Sequence, residues 1–541
     1  MTKLITTILL LFFITACSGQ AAPPLVATKA PSTAPTEIPQ TAPPVATEAP
    51  SAAPTEIPQA SPLLLPQSNW AGGITYTDGT VEPILVHLDT TGGTLTIQPK
   101  TAVLTLDKVE RHENTLSFTR TTPTILKFTG QITSLHIEGQ VEANERRGSF
   151  MLWPLLIENE RALAEFSSTY AFVAGQTLRI HLPFSYAAAG LDFFWSGLTL
   201  THFGTGAVRG LYPIAQDTFL VGNARVIGYP FEAKIMFVRD AAGQVTGLTW
   251  QAFNPTNGKL GDSQPAQRLT LPEETVHYPS TGGITLTGLL TLPAAPGSHP
   301  AIVVLHGSER GERKDFLRQQ LSAFMASHGI AVLTYDKRGV GDSGGVYQEV
   351  ASEANVSLLA QDALAGVSYL KGRSDIDSHH IGLIGSSQAG WIIPRAAQSG
   401  DVAFFVILSG AVVSVGIENA YSSYTNDGAA PPHYSATEIS EKLALVQSSG
   451  FDPVPVMMKL TQPGLWLWGD QDKSVPVPES LKNLNSLIAQ GQSRFSYHLF
   501  PNADHNLQQS HAGLFTELPY SSGYPDDFFT TLTTWLRASV H

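Results

Sequence analysis

The sequence predicts a multidomain protein in which a disordered proline-rich stalk and two small antiparallel β modules precede a C-terminal α/β domain. Three observations predict this architecture. They are a proline-rich repeat near the N-terminus, a period-two alternation of apolar and polar residues in the middle of the chain, and an alternation of apolar strands with helical segments after residue 273. Fully apolar strands need cover on both faces, so the last pattern indicates a mostly parallel sheet with helices on either side.

The composition bounds the functions that the chain can perform. The 541 residues have room for roughly two to four domains. Hydrophobic residues make up 43% of the chain, which is enough for several buried cores. The formal net charge is −13, so nucleic acid would be repelled and is not expected as a partner. The single cysteine, Cys17, lies in an N-terminal leader, so we expect no disulfide and no cysteine metal site in the mature chain.

Residues 1–17 have the layout of an export signal. Lys3 is followed by the apolar run Leu4–Ile14, which is too short to span a bilayer comfortably, and two small residues precede Cys17. The last four residues of this leader resemble a bacterial lipobox, which implies that Cys17 is lipidated. We therefore expect an extracytoplasmic protein that is lipid-anchored to the cell membrane at Cys17. The alternative is an ordinary signal peptide with a chance cysteine.

Residues 18–67 change character and are rich in proline, alanine, threonine and serine. They contain a near-duplicate, Ala34–Gln40 and Ala53–Gln59, and the prolines disfavour helix and favour extended polyproline II. We expect a disordered linker that acts as a stalk.

Residues 68–165 and 166–273 are predicted to form two β-rich modules. In the first, stretches such as Thr94–Gln98 alternate apolar and polar residues between Gly, Asn and Asp turns, which is typical of half-buried antiparallel strands. The same pattern begins again at Leu178–Leu182. The scattered histidines show no metal spacing and are interpreted as surface or strand residues: His87, His112, His136, His181 and His202. The pattern does not indicate what these modules bind.

Residues 274–541 are predicted to form the α/β domain. Apolar stretches predict strands at Ile284–Leu292, Ala301–Leu305, Ile330–Tyr335, Ile381–Ile384, Phe404–Leu408, Leu465–Trp468 and Phe495–Phe500. Helices are expected at Phe316–Ser327, Val356–Leu370 and Phe528–Leu536.

The pentapeptide that begins at Gly385 follows one of these strands and leads into a helical run. This strand–turn–helix context is that of a G-x-S-x-G nucleophile elbow. Counting two residues from Gly385 selects Ser387 as the nucleophile, because choosing Ser386 would put Ile384 where a small residue is needed. Ala389 replaces the second glycine of the motif and adds a methyl where helix and strand pack closely. The alternative interpretation is a glycine–serine loop before a helix.

A serine nucleophile needs a base within hydrogen-bond reach and an acid that fixes the tautomer of that base. Asp472 follows one predicted strand and His505 follows the next, so the catalytic candidates occur in the order Ser, Asp, His. Asp470 competes with Asp472 for the acid role. We prefer Asp472, because its spacing from the strand end leaves a loop that can reach inward.

An acyl-transfer site also needs hydrogen-bond donors for the developing oxyanion. Two backbone N–H groups are candidates for this oxyanion hole. One is that of Gln388, directly after the nucleophile at a helix N-terminus, and the other is that of Ser308, in the loop after the strand Ala301–Leu305. His306, in the same loop, is interpreted as a loop-shaping residue rather than a base.

Taken together, these motifs make residues 274–541 similar to the α/β-hydrolase superfamily, and within it to bacterial serine esterases of the dienelactone-hydrolase-like branch. Some of those esterases carry a β-rich N-terminal region. The motifs are His306–Ser308, Tyr335–Ser343, Ser387 with residues 388–391, Asp472 and His505. The resemblance implies hydrolysis of a small-molecule carboxylic ester through an acyl-enzyme intermediate, with no cofactor and no metal. Relatives include thioesterases and serine peptidases, so the resemblance leaves the leaving group open.

Two segments of the α/β domain keep alternative interpretations. The turn 336–338 is read as structural, with a substrate role as the alternative. Residues 411–463 form an insertion before the acid strand, either a cap over the acyl pocket or ordinary helical packing. Its apolar and aromatic residues are Tyr421, Tyr424, Tyr434, Phe451, Met457 and Met458.

Two competing functions are also weighed. A serine peptidase of prolyl-oligopeptidase type is possible in this superfamily, although the β region lacks the regular repeats of a propeller. A non-catalytic surface binding protein is the alternative from another class, and the complete Ser, Asp, His set argues against it.

Overall fold

The computed structural model describes residues 68–540 except 90–91, 98–102, 123–124, 134–135, 157–159, 183–196 and 349. The predicted leader with Cys17 and the predicted stalk at 18–67 lie outside the described residues. Within the part of the chain that is described, no helix is long and apolar enough to cross a membrane.

The first β module is a nine-stranded antiparallel sheet. Its strands are β1 (Ser68–Tyr76), β2 (Val81–Leu88), β3 (Gly93–Ile97), β4 (Val103–Leu106), β5 (Lys108–His112), β6 (Thr115–Arg120), β7 (Leu126–Ile132), β8 (Ile137–Ala143) and β9 (Arg146–Leu155). Their spatial order is β4-β3-β2-β1-β9-β8-β7-β6-β5. Strands such as β7 alternate buried and exposed residues, so one face packs around Phe118, Phe128 and Phe150.

The second β module is a closed barrel that follows the short helix α1 (Glu160–Leu163). Its strands are β10 (Ser168–Phe172), β11 (Thr177–His181), β12 (Thr199–His202), β13 (Val208–Ala215), β14 (Thr218–Val221), β15 (Ala233–Arg239), β16 (Val245–Ala252) and β17 (Gln264–Leu269). Phe166 packs in the barrel core, and Glu165 pairs with Arg239 at 2.7 Å. Leu163, Glu165 and Phe166 therefore pack with the barrel.

The C-terminal domain contains the predicted, mostly parallel sheet. Its strands are β18 (Glu273–Ser280), β19 (Ile284–Thr291), β20 (His299–Leu305), β21 (Ala331–Tyr335), β22 (Ile376–Ser386), β23 (Phe405–Leu408), β24 (Gly464–Gly469) and β25 (Phe495–Phe500). The order is β18-β19-β21-β20-β22-β23-β24-β25, in which β19 pairs antiparallel with both neighbours and the other pairings are parallel.

Helices cover both faces of this sheet. They are α2 (Phe316–Ser327), α3 (Glu353–Lys371), α4 (Ala389–Ala397), α5 (Val415–Tyr424), α6 (Ala436–Leu443), α7 (Val454–Met457), α8 (Val477–Ala489) and α9 (Phe528–Val540). Val303 faces the core beneath α3, α4 and α8, whereas Ile302 faces the core beneath α2 and α9. Helix α3 begins earlier than predicted, because the Ser352 hydroxyl accepts a hydrogen bond from Asn355 N at 3.2 Å and caps it.

The barrel shares a core with the α/β domain. The ring of Phe203, at the end of β12, lies 5.2 Å from that of Phe324 on α2 and 5.0 Å from that of Phe529 on α9. Val208 of the barrel belongs to the same apolar cluster. The barrel is therefore packed against the hydrophobic face formed by α2 and α9.

Candidate active site

The turn after β22 places Ser387 in a backbone conformation that non-glycine residues avoid. Its φ is 55°, which costs of order 1–3 kcal/mol and persists only where the surroundings hold it. Ser387 N donates to Leu408 O at the end of β23, at 2.9 Å, and Gly390 N donates to Ser387 O at 2.8 Å. These bonds hold the turn between the end of the sheet and the start of α4. A strained strand-to-helix turn of this kind is the backbone geometry that a nucleophile elbow requires.

The structure shows how Ala389 is accommodated in place of the second glycine of the motif. A Cβ atom at Gly385 would lie 2.5 Å from the Ala389 Cβ and 2.9 Å from the Leu305 Cβ. The methyl of Ala389, which is fully buried, therefore uses the space that Gly385 leaves empty. Helix α4 can approach the strand because Gly385 has no side chain.

His505 and Asp472 are joined at the ends of neighbouring parallel strands. Asp472 follows β24 and His505 follows β25, and His505 Nδ1 donates to Asp472 Oδ2 at 2.9 Å. The other carboxylate oxygen of Asp472 accepts from Ser474 N and Val475 N, each at 2.8 Å. The Asp472 carboxylate is fully buried, so these three donors fix its orientation.

Asp470, the competing acid, points elsewhere. Its Oδ1 atom accepts from the Asn502 N atom at 2.7 Å, and the residue is exposed. Asp470 thus connects the two loops after β24 and β25 at the surface, whereas Asp472 reaches His505.

The charge around His505 favours its protonated form. Burial alone would lower its pKa, but the negative charge of Asp472 and the hydrogen bond to it outweigh burial and raise the pKa of His505 to about 9. Glu418, in the first turn of α5, adds an acidic group at this site. Burial raises the pKa of Glu418 to about 7, with Asp427 and Asp472 acting in the same direction and His505 opposing.

The predicted oxyanion loop lies against the nucleophile. A Cβ atom at Gly307 would lie 3.3 Å from the Ser387 Cβ, so this loop passes directly beside the serine. Within the described residues, neither Ser308 N nor Gln388 N donates a hydrogen bond to a protein acceptor. Gln388 is buried at the start of α4, where the helix dipole adds positive potential. Both predicted donors therefore have free N–H groups near Ser387.

Ser387 and His505 are not hydrogen-bonded to each other in this structure. Among the described residues, no hydrogen bond links Ser387 Oγ to the His505 ring. Such bonds are often long or poorly aligned without substrate and shorten in the reacting complex. No group of three His, Asp or Glu side chains in the described part of the chain is arranged to hold a metal ion.

His306 and the charged turn 336–338 make different contacts. The ring of His306 packs edge-on against that of Tyr335, with centroids 4.7 Å apart, and burial lowers the pKa of His306 well below its usual value. Asp336 accepts from Arg313 N at 2.7 Å, and Arg338 Nε donates to Asp362 at 2.9 Å, as expected for structural residues.

Lys337 lies between Asp336 and Arg338 in the sequence, but its side chain has different partners. Its ammonium group contacts the oxyanion loop and the Gln388 side chain. Sequence reasoning missed Glu418 and considered Lys337 only as part of the turn 336–338. The signal for Lys337 is its place just beyond the C-terminal end of β21, an edge where functional side chains of α/β sheets converge.

Different parts of the insertion at 411–463 fit the two interpretations, which were a cap over the acyl pocket and ordinary helical packing. Phe451 and Met457 are buried in the core that packs on the sheet, so they serve ordinary packing. Helix α5 instead lies over the acid loop, because Tyr421 Oη donates to Asp472 O at 2.7 Å. The rings of Tyr424 and Tyr434 form an edge-to-face pair. Within the insertion, α5 and the following turn with Asp427 therefore approach the candidate site.

The barrel is hydrogen-bonded to the segment that carries His505. Arg225, buried in the barrel module, donates to the Gln508 side chain. Gln508 N in turn donates to Asp504 Oδ1 at 2.9 Å, directly before His505. Val208 N also donates to Ser522 O at 2.8 Å. The loop after β25 is thus held from outside the α/β domain.

We expect Arg225→Met to lower kcat about tenfold or more, because a small displacement of His505 is enough to disturb a catalytic arrangement. Arg239→Met is the matched control. Arg239 pairs with Asp217 and Glu165 inside the barrel module, so its loss should reduce stability but leave kcat within about twofold. Steady-state rates and thermal unfolding of both variants test this. Equal kcat values for the two variants would show that the barrel does not position His505.

Comparison with known proteins gives one family match and several curated relatives. The prolyl oligopeptidase family matches residues 317–518. Esterase EstD of Thermotoga maritima is 23% identical over 216 residues, which cover 38% of this chain and 48% of that protein. Polyketide transferase claH of Penicillium crustosum is 26% identical over 148 residues, covering 27% and 47% of the two chains. This chain thus spans about half the length of the relatives that it matches.

Similar solved structures each cover about half of this chain. The esterase Pf2001 of Pyrococcus furiosus is 19% identical with a TM-score of 0.36, covering 50% of this chain and 93% of that one. Est1E of Butyrivibrio proteoclasticus, solved with ferulic acid bound, is 19% identical with a TM-score of 0.34, covering 49% and 97%.

Proposed function

We propose that this chain is a serine hydrolase of the α/β-hydrolase fold and that it cleaves carboxylic esters through an acyl-enzyme intermediate. In this proposal Ser387 is the nucleophile, His505 the general base and Asp472 the acid that orients it. The hydrogen bond from His505 Nδ1 to the buried carboxylate of Asp472, 2.9 Å long, carries the proposal. That bond leaves Nε2 of His505 as the proton acceptor, which is the tautomer that a serine nucleophile requires.

The proposed reaction has two halves. The Ser387 oxygen attacks the ester carbonyl carbon while its proton passes to His505 Nε2, and the carbonyl oxygen becomes an oxyanion. The C–O bond to the alcohol then breaks, and the alcohol leaves with the proton from His505. In the second half, water attacks the acyl-enzyme with His505 again as base. Release of the carboxylic acid returns Ser387 to its hydroxyl form.

The free N–H groups of Ser308 and Gln388 support a role as the oxyanion hole. In a well-studied hydrolase, removal of one such donor costs roughly 3–4 kcal/mol of transition-state stabilisation. Neither group donates to a protein acceptor within the described residues, and Gly307 brings the Ser308 loop against Ser387. Both groups are therefore available to the oxyanion and require no rearrangement of existing bonds.

A second candidate function is peptide hydrolysis. The match of residues 317–518 to the prolyl oligopeptidase family favours it, whereas the esterase name of the Thermotoga maritima relative favours ester cleavage. The same three residues could cleave an ester, a thioester or an amide, because only the leaving group differs. We place ester cleavage first, and the substrate is expected to be a small or medium-sized ester.

Three substrate classes distinguish these candidates: p-nitrophenyl esters, the matching thioesters, and aminoacyl p-nitroanilides. Each is assayed before and after treatment with a serine-directed phosphonate. We expect phosphonate-sensitive turnover with the esters to exceed that with the anilides. A preference for the anilides would assign the protein as a peptidase. An absence of turnover and of phosphonate labelling would favour a non-catalytic binding protein.

We also propose that the enzyme is extracytoplasmic and lipid-anchored through Cys17, with residues 18–67 as the stalk. The lipobox-like leader supports the anchor, and the proline-rich repeat supports an extended spacer. Acyl chains contribute about 0.8 kcal/mol of membrane affinity per buried methylene, so several chains would hold the protein at a membrane.

Cys17→Ser is expected to remove the anchor without reducing the specific activity of the hydrolase. The variant should appear as a soluble active protein or as an uncleaved precursor, and fractionation with an esterase assay measures which. If the variant is processed and partitions with membranes as the native protein does, lipidation at Cys17 is wrong.

A further inference from the structure

Lys337 carries a buried ammonium group in the turn after β21, and its residue is only 2% exposed. The group donates to Gly307 O at 2.7 Å, to Gln388 Oε1 at 3.2 Å and to Glu309 O at 3.3 Å. All three N–H bonds of the ammonium are therefore used. One charged side chain thus connects the loop after β20 to the turn after β22.

No carboxylate within the described residues forms an ion pair with this ammonium at 4.0 Å or less, whereas the nearby Arg313, Arg318 and Arg338 each have an acidic partner. Arg318 takes the nearby carboxylate of Glu309. Burial lowers the pKa of Lys337 to about 8, with Glu309 opposing and Arg318 adding to the effect. A buried charge of this kind is costly, so its retention calls for a use that a neutral residue would not serve.

Two of the three acceptors, Gly307 O and Gln388 Oε1, belong to the two segments that supply the candidate oxyanion donors. The carbonyl of Gly307 is part of the same peptide group as the N–H of Ser308. A cation that binds this carbonyl polarises the amide, which strengthens its N–H as a donor. The other acceptor is the side chain of Gln388, whose own backbone N–H is the second candidate donor.

We propose that Lys337 is a positioning residue that orients and polarises the oxyanion hole by holding the Gly307–Ser308 peptide and Gln388 together. This inference rests on the proposed hydrolase function. In the proposed reaction Lys337 contacts no reacting atom. Its ammonium acts through the Ser308 peptide group and adds a fixed positive charge where the oxyanion develops. The inference concerns stabilisation of the transition state and not binding of the ester in its ground state.

The next peptide group after Gly307–Ser308 provides a matched control. Tyr347 Oη donates to Ser308 O at 2.5 Å, so it contacts the carbonyl of the next peptide in the same loop. This peptide contributes the N–H of Glu309, which is not a proposed donor. Tyr347→Phe therefore removes a hydrogen bond from the loop without changing the polarisation of the Ser308 amide.

The test compares Lys337→Met, Lys337→Gln and Tyr347→Phe in the full chain with p-nitrophenyl butyrate. All rates are expressed per active site titrated with a fluorescent phosphonate, so only folded sites are counted. We expect Lys337→Met to lower kcat by about 100-fold while KM changes less than about threefold, because the lost interaction exists only in the transition state. Lys337→Gln keeps hydrogen-bond donors but lacks the charge, so its kcat should lie between that of the native chain and that of Lys337→Met. Tyr347→Phe should stay within about threefold of native kcat.

A pair of inhibitors separates positioning from general damage. A trifluoromethyl ketone adds to Ser387 and places an oxyanion in the hole, whereas the matching methyl ketone binds mainly as the uncharged carbonyl. For Lys337→Met the affinity for the trifluoromethyl ketone should fall in parallel with kcat, and that for the methyl ketone should not.

Equal losses for both ketones, or a kcat for Lys337→Met within threefold of the native value, would overturn the role of Lys337 and leave the hydrolase function standing. Absence of both ester turnover and phosphonate labelling in the native chain would instead overturn the proposed function.

Discussion

Ser387→Ala is expected to lower kcat/KM for p-nitrophenyl esters by about 10⁴-fold or more, whereas Ser386→Ala should retain activity within about tenfold of the native enzyme. The reason is the position of each serine relative to the turn. Ser386 is the last residue of β22 and pairs in register with Leu408 of β23. Ser387 leaves the strand with its φ of 55° and stands beside Gly307 of the oxyanion loop.

The two serine variants are a matched pair, because each removes one hydroxyl from adjacent residues of intermediate exposure. Both should therefore unfold at similar temperatures, and activity differences report chemistry rather than folding. Labelling by a serine-directed phosphonate followed by peptide mapping provides an independent measurement, with the label expected on Ser387. Equal losses of activity in the two variants, or a label on Ser386, would contradict the assignment of the nucleophile.

Asp472→Asn is expected to lower kcat by about 10⁴-fold, while Asp470→Asn should change it by less than about threefold. An asparagine at 472 can donate its amide hydrogen to Nδ1 of His505, which would leave the proton on Nε2 and block its function as a base. At 470 an asparagine oxygen can still accept from Asn502 N, so the bond between the two loops survives. Comparable rates for the two variants would move the acid role to another residue.

The pH dependence of the two aspartate variants provides a second measurement. His505 must be neutral to accept the serine proton, so activity is lost as the pH falls below the pKa of His505. The Asp472 carboxylate raises that pKa to about 9 against an ordinary value near 6.5. The native enzyme and Asp470→Asn should therefore gain kcat/KM as the pH rises to about 8, above which loss of the Lys337 charge opposes the gain. In Asp472→Asn burial still lowers the pKa of His505 and only the charges of Asp427 and Asp504 still raise it, so the acid limb should shift to lower pH. An acid limb that stays in place in Asp472→Asn would show that Asp472 does not set the charge of His505.

Local chemistry accounts for what the sequence predicted well. The strand stretches of the α/β domain are continuous apolar runs, because a parallel sheet is buried on both faces, and Ile302 and Val303 indeed face two different cores. The elbow is recognisable because Gly385 and Ala389, two residues to either side of Ser387, are small where helix and strand pack closely. The spacing from strand end to Asp472 and to His505 is likewise a local property. These features required no knowledge of distant contacts.

Long-range packing decided the features that the sequence did not predict. Period-two alternation indicates antiparallel strands, but it does not distinguish the open order of β1–β9 from the closed order of β10–β17, because closure depends on strand tilt and register. The insertion illustrates the same limit, since Phe451 and Tyr421 are similar aromatic residues. One is buried in the sheet core and the other bonds to the acid loop.

The sequence by itself therefore determined the order of the modules, the mostly parallel sheet and the candidate set of Ser387, Asp472 and His505. Only the tertiary structure decided which acid reaches the histidine, that the barrel holds the His505 loop through Arg225, and that Lys337 bonds to both halves of the oxyanion hole. The physical reason is that strand and turn patterns depend on neighbours within a few residues. The direction of a charged side chain depends instead on which buried acceptors the completed fold brings within about 3 Å.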